Sequence, residues 1–400
     1  MSRYANARLF VMIGALYVSQ GIPLGVAMEA LPTLLRHEGV ALHALAWLPL
    51  VGLPWVLKFL WAPLVDNHWH AALGRRRSWI LPMQAIVLAC LGIVAIAGVA
   101  PGTAAWVVAL MALASLASAT QDIATDGLAA ERLQGQALAR ANAVQVGGTM
   151  VGFFAGGPGC LVLAGAVGQH AALSALLIVV AFSLAMAFAW REPAVARQAV
   201  QRPARLSAFA GRPGAWALAG AAFLSAMTAV SGYGLSKLFL VDAGWAVDAV
   251  GRVGMTGGLV TVLVGCGGGA WLIGRCGARR TFALGLAGSA LSAVAWLAQA
   301  RGWLPATPAV AFGAQALGAF GAGAASVAIM TLAMRFARQG AQAGTDMTAV
   351  QSSRDLGEIL TSSLMAGVAA QLGYAAGFGA GLLVAAATLV FTWRTLARLA

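Results

Sequence analysis

The sequence predicts an all-α membrane protein in which twelve transmembrane helices form two pseudo-symmetric six-helix bundles. The first observation is composition: 60% of the 400 residues are hydrophobic and 9% are charged, whereas soluble domains carry about 25% charged residues. The second is that twelve apolar runs reach the length of about 20 residues that a helix needs to cross a bilayer. The third is a basic segment after the sixth run, which divides the runs into two equal sets.

The twelve runs follow one another along the whole chain. In the first half they cover 9–35, 43–65, 78–99, 104–129, 139–167 and 171–190, and in the second half 213–239, 248–274, 281–300, 308–334, 346–372 and 374–393. The longest connection, 191–212, is rich in arginine. We therefore predict an N-terminal six-helix bundle at 1–190, a cytoplasmic basic linker at 191–212 and a C-terminal six-helix bundle at 213–400.

The net charge of +13 is explained by where the basic residues lie. Most of the 25 Lys and Arg residues fall in connections on one side of the predicted bilayer. Because positively charged loops stay in the cytoplasm, we expect both termini of this multi-pass protein there. The lipid bilayer accounts for the basic character without a nucleic-acid partner.

Two local patterns support a duplicated helical architecture. The loop Gly74–Arg77 follows the second run, and the similar loop Gly277–Arg280 follows the eighth, at the equivalent place in the second half. Parallel six-helix repeats of this kind resemble the major facilitator transporters. In the fifth run, Gly148, Gly152 and Gly156 form a ridge of small residues that predicts close helix packing.

An ionisable side chain inside a predicted helix costs at least about 2.5–3.5 kcal/mol to insert, and seven such side chains are the principal candidates for a function. They are Glu29, Lys58, Asp122, Asp126, Arg354, Asp355 and Glu358. Asp122 and Asp126 are four residues apart and therefore share one helix face. Lys58 lies at a matching depth on the second run, so we expect it to be their counter-charge.

The charged residues of the eleventh run suggest a second pairing. Arg354 and Glu358 are four residues apart and are expected to pair along their helix, which leaves Asp355 facing elsewhere. Together with Asp66 and the Arg75–Arg77 run, the charges of the second, fourth and eleventh runs concentrate at the predicted cytoplasmic face. We interpret them as an inner gate between two rocking bundles.

Glu29, in the outer half of the first run, is predicted to meet Lys237 of the seventh run in an outer gate. Glu29 equally fits a protonation site or a contact to substrate, because burial beside a mobile partner favours switching between charged and neutral forms. For the whole set of charges, a structural clamp between helices and the carriage of protons remain two open interpretations.

Several other classes of function are excluded by what the sequence lacks. The four cysteines are scattered without a CxxC pair, so we expect neither a disulfide framework nor a metal site. The chain has no GxxxxGK[ST] phosphate-binding loop, and no Ser-His-Asp or Cys-His grouping is apparent. We therefore predict no enzyme and no cofactor, and uphill work driven by an ion gradient or by another subunit.

Three longer motifs resemble one branch of the major facilitator superfamily. They are QGIPLG at 20–25, LKFLWAPLVD at 57–66 and ATQDIATD at 119–126. These resemble the peptide and acetyl-CoA transporter branch, which includes the AmpG-like muropeptide permeases and the acetyl-CoA carriers. The resemblance implies that the charged network of the branch falls on Lys58, Asp66, Asp122 and Asp126.

Two further segments, MEALP at 28–32 and SSRDLGE at 352–358, look more like the RhtX/FptX siderophore permeases of that branch. This resemblance implies import of an intact ferric siderophore, pyochelin-like or rhizobactin-like, across the bacterial inner membrane by a single polypeptide coupled to protons. No protein ligand to the iron is expected, since the chelate already saturates its metal.

Runs one, four, seven and ten usually line the central cavity in this architecture. Here they offer Tyr17, Gln20, Gln121, Tyr233, Gln315, Phe320 and Met330 as candidate substrate contacts. A lining with few polar groups suits a flat apolar chelate. A muropeptide or a CoA thioester remains the alternative cargo, and a membrane receptor or assembly subunit without transport activity is the alternative from another class. We expect the chain to act as a monomer.

Overall fold

The computed structural model describes residues 3–31, 34–35, 51–192, 203–233, 235–245 and 247–395. Within these ranges every regular element is a helix. Nine of the described helices are long and apolar enough to cross a membrane. The composition-based prediction of an all-α membrane protein is therefore confirmed.

The helices of the first half of the chain follow the predicted runs closely, with two interruptions by wider π-helical turns. They are α1 (Arg3–Gly25, extended by a π turn at Val26–Ala30), α2 (Leu53–Leu57), α3 (Ala62–Asn67), α4 (Arg77–Ala97), α5 (Ala104–Arg132), α6 (Gly135–Phe154, followed by a π turn at Ala155–Gly159), α7 (Cys160–Val167) and α8 (Gln169–Ala189).

The second half repeats this pattern. Its helices are α9 (Leu206–Ala210), α10 (Ala215–Tyr233), α11 (Ser236–Asp242), α12 (Val247–Val260, followed by a π turn at Thr261–Gly267), α13 (Gly268–Cys276), α14 (Ala278–Ala300), α15 (Pro308–Arg338), α16 (Ala343–Leu372) and α17 (Tyr374–Thr395). The π turns at Ala155–Gly159 and Thr261–Gly267 fall in the fifth and eighth predicted runs, both of which are rich in glycine.

The second predicted run is not the continuous helix that its hydropathy suggested. Its described part consists of α2, a 3₁₀ turn at Lys58–Leu60 and α3. Pro63 opens α3, where its missing N–H is tolerated, and Trp61 just before it leaves helical geometry with φ −110° and ψ 1°. The break places Lys58 in an irregular turn of the chain.

Packing divides the chain into two compact units. Unit 1 comprises Met1–Leu133, Gly148–Leu206 and Ala337–Thr348, and unit 2 comprises Gln134–Gly147, Ser207–Phe336 and Ala349–Ala400. This division by packing differs from the division by sequence at 190 and 213, which stays a prediction. Because α6, α15 and α16 each contribute to both units, no single point of the chain separates them.

In unit 1, α4 packs against α5 and α8, and α1 packs against α5 and α8. The core between them contains Ile22, Leu91, Val107 and Leu173, all buried. The glycine ridge allows α1 and the second part of α6 to touch through their backbones, since a Cβ on Gly152 would lie 1.9 Å from the Val18 carbonyl oxygen. The close packing predicted from the ridge is confirmed.

In unit 2, α10, α14 and α17 pack together. Their outer ends enclose an aromatic cluster in which the rings of Trp296 and Phe378 stack at 6.2 Å between centroids. Phe239 of α11 packs edge-on against both of these rings. The cluster is an ordinary apolar core and holds the short helix α11 against the bundle of unit 2.

Candidate functional site

The most deeply buried charges of unit 1 form a direct ion pair between Lys58 and Asp122. Lys58 Nζ donates to Asp122 Oδ2, and both side chains are at most 1% exposed. Lys58 comes from the 3₁₀ turn between α2 and α3, and Asp122 from the middle of α5. The counter-charge expected from matching depth is therefore present, although the role of the pair stays a prediction.

Two side chains of α1 donate hydrogen bonds to the aspartates on α5. Gln20 Nε2 donates to Asp122 Oδ1 at 2.7 Å, and the Tyr17 hydroxyl donates to Asp126 Oδ1 at 2.7 Å. The four side chains are all buried. Because Tyr17 and Gln20 are three residues apart, they present their polar groups to the same face of α5 that Asp122 and Asp126 share.

The surroundings of this ion pair include side chains that were not among the predicted site residues. The Lys58 ammonium lies over the Trp55 ring, 5.0 Å from its centroid. Gln20 Nε2 also approaches Thr149 Oγ1 of α6 at 3.3 Å, and Trp61 Nε1 donates to Thr120 Oγ1 at 3.1 Å. The spacing of Trp55 and Lys58, three residues apart on one helical segment, was the available signal for the first of these contacts.

We call Lys58, Asp122, Asp126, Tyr17 and Gln20 the buried polar cluster. It joins three separate elements: α1, the broken second run and α5. Moving any of these elements relative to the others would separate buried donors from buried acceptors, which costs about 1–3 kcal/mol for a neutral group and more for a charged one. The hydrogen bonds and the ion pair of the cluster therefore hold α1, α5 and the broken second run against one another.

A second charged group in unit 1 lies at the end of α3 and in the loop before α4. Arg76 Nη1 donates to Asp66 Oδ1 at 2.6 Å, and Arg76 Nη2 donates to Glu131 Oε1 at 2.5 Å. Arg75 lies beside the same acids, with its guanidinium 3.5 Å from Asp66 and 3.4 Å from Glu131. Glu131 was not among the predicted site residues, because it lies at the very end of α5 and resembles an ordinary surface acid.

Asp66 also receives a backbone hydrogen bond from far along the chain. The Thr345 amide, in the first turn of α16, donates to Asp66 Oδ2 at 2.6 Å within unit 1. A carboxylate at a helix N-terminus satisfies an orphan N–H and complements the helix dipole. The contact therefore fixes the start of α16 to the end of α3.

The charges around Asp66 lower its pKa by more than burial raises it. Burial favours the neutral acid, but the guanidinium groups of Arg76 and Arg75 and the Thr345 amide favour the carboxylate, so the pKa of Asp66 is lowered. Asp66 lies just beyond the predicted span 43–65. The group thus holds an ionised Asp66 at neutral pH.

Glu192, just after α8, caps the start of α4 at the end of the first arginine loop, Gly74–Arg77. Its Oε2 accepts hydrogen bonds from the backbone N–H groups of Arg76 and Arg77, each at 2.8 Å. Burial nevertheless raises the pKa of Glu192, and these two N–H groups oppose that rise only in part. The carboxylate replaces a side-chain cap at the start of α4 that the local sequence does not supply.

In unit 2, Arg354 of α16 contacts both of its acidic neighbours. Its Nη1 donates to Asp355 Oδ1 at 3.2 Å, and its Nη2 lies 3.5 Å from Glu358 Oε2. The pairing of Arg354 with Glu358 is confirmed, but the expectation that Asp355 faces elsewhere is wrong. The long side chain and forked guanidinium of arginine reach an adjacent residue as well as one a turn away.

Among the remaining predicted residues whose side chains the structure describes, none forms a described hydrogen bond with these groups. Gln121 is buried, with Nε2 3.5 Å from the Leu16 carbonyl oxygen. In unit 2, Gln315 Oε1 accepts from Ser236 Oγ at 3.2 Å, Met330 is buried and Phe320 is half-buried. The side chains of Glu29, Lys237 and Tyr233 lie outside the described part of the structure, so the proposed outer gate remains a prediction.

The fold defined by these helices is that of the major facilitator superfamily. The chain is similar to the crystal structure of the human organic anion transporter MFSD10, with a TM-score of 0.73, 19% identity and coverage of 98% of this chain and 100% of the other. It is similar to an outward-facing bacterial homologue of the iron transporter ferroportin with a TM-score of 0.75, at 14% identity, covering 98% and 99% of the two chains. At such identities the likeness concerns the fold alone.

Sequence comparison indicates a narrower relationship for the first part of the chain. Residues 9–164 match the family described as acetyl-coenzyme A transporter 1. The chain is also 31% identical over 257 residues to the anhydromuropeptide permease of Escherichia coli strain K12, over 62% of this chain and 52% of the permease. The chain thus spans about half the length of this relative. The buried polar cluster and Asp66 all lie inside the region matched to the family.

Proposed function

We propose that this protein is a secondary transporter of the major facilitator type that moves an anhydromuropeptide-like solute, a conjugate of sugar and peptide. A CoA thioester is the alternative cargo. The observation that carries the proposal is the buried polar cluster: it holds two aspartates and a lysine inside apolar helices and lies in the region that resembles the acetyl-CoA transporter family. Charges in such positions usually mark a transport or proton pathway.

The polar side chains that the structure gathers around Gln20 support a sugar-containing cargo. The sequence alone had favoured a less polar cargo. The apolar lining inferred from isolated residues favoured a flat ferric siderophore. Around Gln20, however, the structure gathers a threonine, two aspartates, a lysine and a tyrosine. Hydrogen-bonding groups of both polarities suit hydroxyl and amide groups, and the relatives named above include a muropeptide permease.

We further propose that Asp122 couples transport to protons. In the described arrangement its two oxygens accept hydrogen bonds from Lys58 and Gln20. A proton on one carboxyl oxygen would remove the negative charge that holds Lys58 and convert that oxygen from an acceptor into a donor. Lys58 and the segment around its 3₁₀ turn would then be released, which gives alternating access a step that depends on protonation.

In this proposal the other charges act as gates. Asp66 with Arg76 locks the start of α16 to the end of α3, and Arg354 with Asp355 and Glu358 forms a separate ionic group on α16. The protein works as a monomer in a bacterial inner membrane with both termini in the cytoplasm.

Transport assays in proteoliposomes test the cargo directly. Purified protein is reconstituted, an inward proton gradient is imposed, and uptake of a radiolabelled anhydromuropeptide is compared with uptake of labelled acetyl-CoA and of a labelled ferric siderophore. We expect accumulation of the anhydromuropeptide above its external concentration, and none without the gradient. Accumulation of the ferric siderophore alone would restore the cargo predicted from local resemblance, and movement of none of the three would favour a receptor without transport activity.

A pair of aspartate variants tests the coupling. Asp122→Asn removes the buried carboxylate, and Asp242→Asn removes an exposed carboxylate of unit 2 that accepts a hydrogen bond from Tyr374. We expect Asp122→Asn to abolish accumulation driven by the gradient while leaving exchange of labelled for unlabelled substrate measurable. Asp242→Asn should behave as the wild type. Full gradient-driven accumulation by Asp122→Asn would remove this residue from the coupling step.

A further inference from the structure

The second arginine loop, Gly277–Arg280, begins like the first with a glycine of positive φ but has different surroundings. Gly74 and Gly277 both have left-handed backbone conformations, with φ 94° and φ 84°. Each glycine therefore turns the chain in the same way before a long helix. Arg279 follows Gly277 by two residues, as Arg76 follows Gly74, so the two arginines occupy equivalent positions in the two loops.

The two equivalent arginines differ in their partners. Arg76 is held by Asp66 and Glu131. By contrast, Arg279 Nε and Nη2 are both buried and have no hydrogen-bond partner among the described residues. The residue eight positions before the glycine is Asp66 in the first loop and Gly269 in the second, where a Cβ would already lie 3.0 Å from the Ala324 backbone. Gly269 packs closely against α15, so this position of the second loop has no room for a carboxylate like that of Asp66.

Within the residues that the structure describes, no acidic side chain accepts a hydrogen bond from Arg279 Nε or Nη2. The chain has only twelve Asp and Glu residues. Three of them, Asp66, Glu131 and Glu192, are bound to the first arginine loop, and Asp346 accepts a hydrogen bond from Gln342. Because a buried N–H group without a hydrogen-bond partner costs free energy, Arg279 Nε and Nη2 are free to bind an acceptor that the described residues do not provide.

The surroundings of Arg279 fit a lipid headgroup. Arg280 is exposed beside it, and Arg275 at the end of α13 lies over the Trp271 ring, 5.0 Å from the centroid. Trp271 is itself 56% exposed, and tryptophan beside arginine is typical of the boundary between hydrocarbon and headgroups. The exposed apolar residue Leu284 continues this surface along α14.

We propose that Arg275, Arg279 and Arg280 form a binding site for the phosphate of an anionic phospholipid in the cytoplasmic leaflet. Arg279 holds the phosphate with its two unsatisfied N–H groups, since guanidinium and phosphate oxygens pair as bidentate partners. Arg275 and Arg280 add attraction to the charged headgroup, and Trp271 contacts the upper part of the acyl chains. The site is independent of the cargo that the protein carries.

Lipid titration of the full-length protein in detergent tests this site. The probe is phosphatidylglycerol, with phosphatidylcholine and inorganic phosphate as separate arms, and the readouts are the midpoint of thermal unfolding and the lipid-bound mass species in native mass spectrometry. We expect phosphatidylglycerol to bind and to raise the midpoint, phosphatidylcholine to bind more weakly, and inorganic phosphate to have no comparable effect.

Matched arginine variants assign the effect to the loop. Arg279→Gln should weaken the apparent affinity for phosphatidylglycerol by about fivefold or more, the effect of about one cationic contact to an anionic membrane surface. Arg301→Gln, at the opposite end of α14, should keep the wild-type affinity. If Arg279→Gln fails to fold, Arg280→Gln and Arg279→Lys replace it; the former is expected to weaken binding and the latter to preserve most of it.

The proposal is overturned by any of three results. One is equal binding of phosphatidylglycerol and phosphatidylcholine by the wild type. Another is an unchanged affinity in both Arg279→Gln and Arg280→Gln. The third is full reproduction of the stabilisation by inorganic phosphate, which would identify a site for a free anion instead of a lipid.

Discussion

Removing Lys58 while keeping Asp122 should destabilise the protein more than removing both charges together. The ammonium and the carboxylate are both at most 1% exposed, so neither can be solvated by water after its partner is lost. Breaking a buried ion pair on one side costs about 3–5 kcal/mol, whereas replacing both partners by neutral groups of similar size is often close to neutral. The comparison therefore separates the value of the pair from the cost of an orphaned charge.

Lys58→Met and Asp122→Asn are the appropriate substitutions. Methionine keeps most of the length of the lysine side chain, and asparagine keeps an oxygen that can still accept the hydrogen bond from Gln20 Nε2. We expect each single variant to lose about 3 kcal/mol or more of the free energy of unfolding. The double variant should lose less than either single variant, because no uncompensated charge remains.

Reversible unfolding in mixed micelles with increasing SDS provides the assay, followed by tryptophan fluorescence. Glu358→Gln is the control, since its carboxylate is 41% exposed and its ion pair with Arg354 is expected to contribute less than about 1 kcal/mol. Additive losses in the double variant, or single variants as stable as the wild type, would refute the reasoning that the two charges depend on each other.

Three further predictions follow from other contacts in unit 1. Gly152→Ala should lower the thermal unfolding midpoint because its Cβ would overlap the Val18 carbonyl oxygen, whereas Gly165→Ala, with nothing within 4 Å, should not; equal midpoints would contradict the backbone contact. Asp66 has a lowered pKa, so its stabilisation is complete above a pH of about 4 and is lost as the pH falls through the folded-state value; Asp66→Asn should remove this contribution, measured as the difference in unfolding free energy between pH 7 and pH 3. Glu192 has a raised pKa, so its protonation favours the folded state. The free energy of unfolding of the wild type should therefore rise, relative to that of Glu192→Gln, as the pH falls from 7 to 4; a difference that does not change with pH would contradict the burial of this carboxyl.

The class of the protein followed from local properties of the chain. Hydropathy runs, the few charges and the placement of arginines are read over windows of about 20 residues, and the bilayer imposes its thickness on each helix separately. The same reasoning identified Lys58, Asp122 and Asp126, because an ionisable side chain in an apolar run is visible without knowing its neighbours.

The sequence motifs supported a resemblance to the peptide and acetyl-CoA transporter branch as a whole. They supported less well the narrower resemblance to the siderophore permeases within that branch. Motifs at 20–25, 57–66 and 119–126 all fall within the region that matches the acetyl-CoA transporter family. The segment at 352–358, which suggested a siderophore permease, lies outside that region. A short charged motif on a single helix fixes few contacts, so it distinguishes poorly between related cargoes.

Only the tertiary structure decided which charges meet. Arg76 contacts Glu131 fifty-five residues away, and Asp66 contacts the Thr345 amide 279 residues away. Such pairs depend on how each helix is rotated and where it ends, and no periodicity along the sequence encodes either property. The break of the second run at Lys58, the contact of Arg354 with Asp355 and the unpartnered guanidinium of Arg279 were hidden for the same reason: each is set by packing between helices that the chain brings together only when it folds.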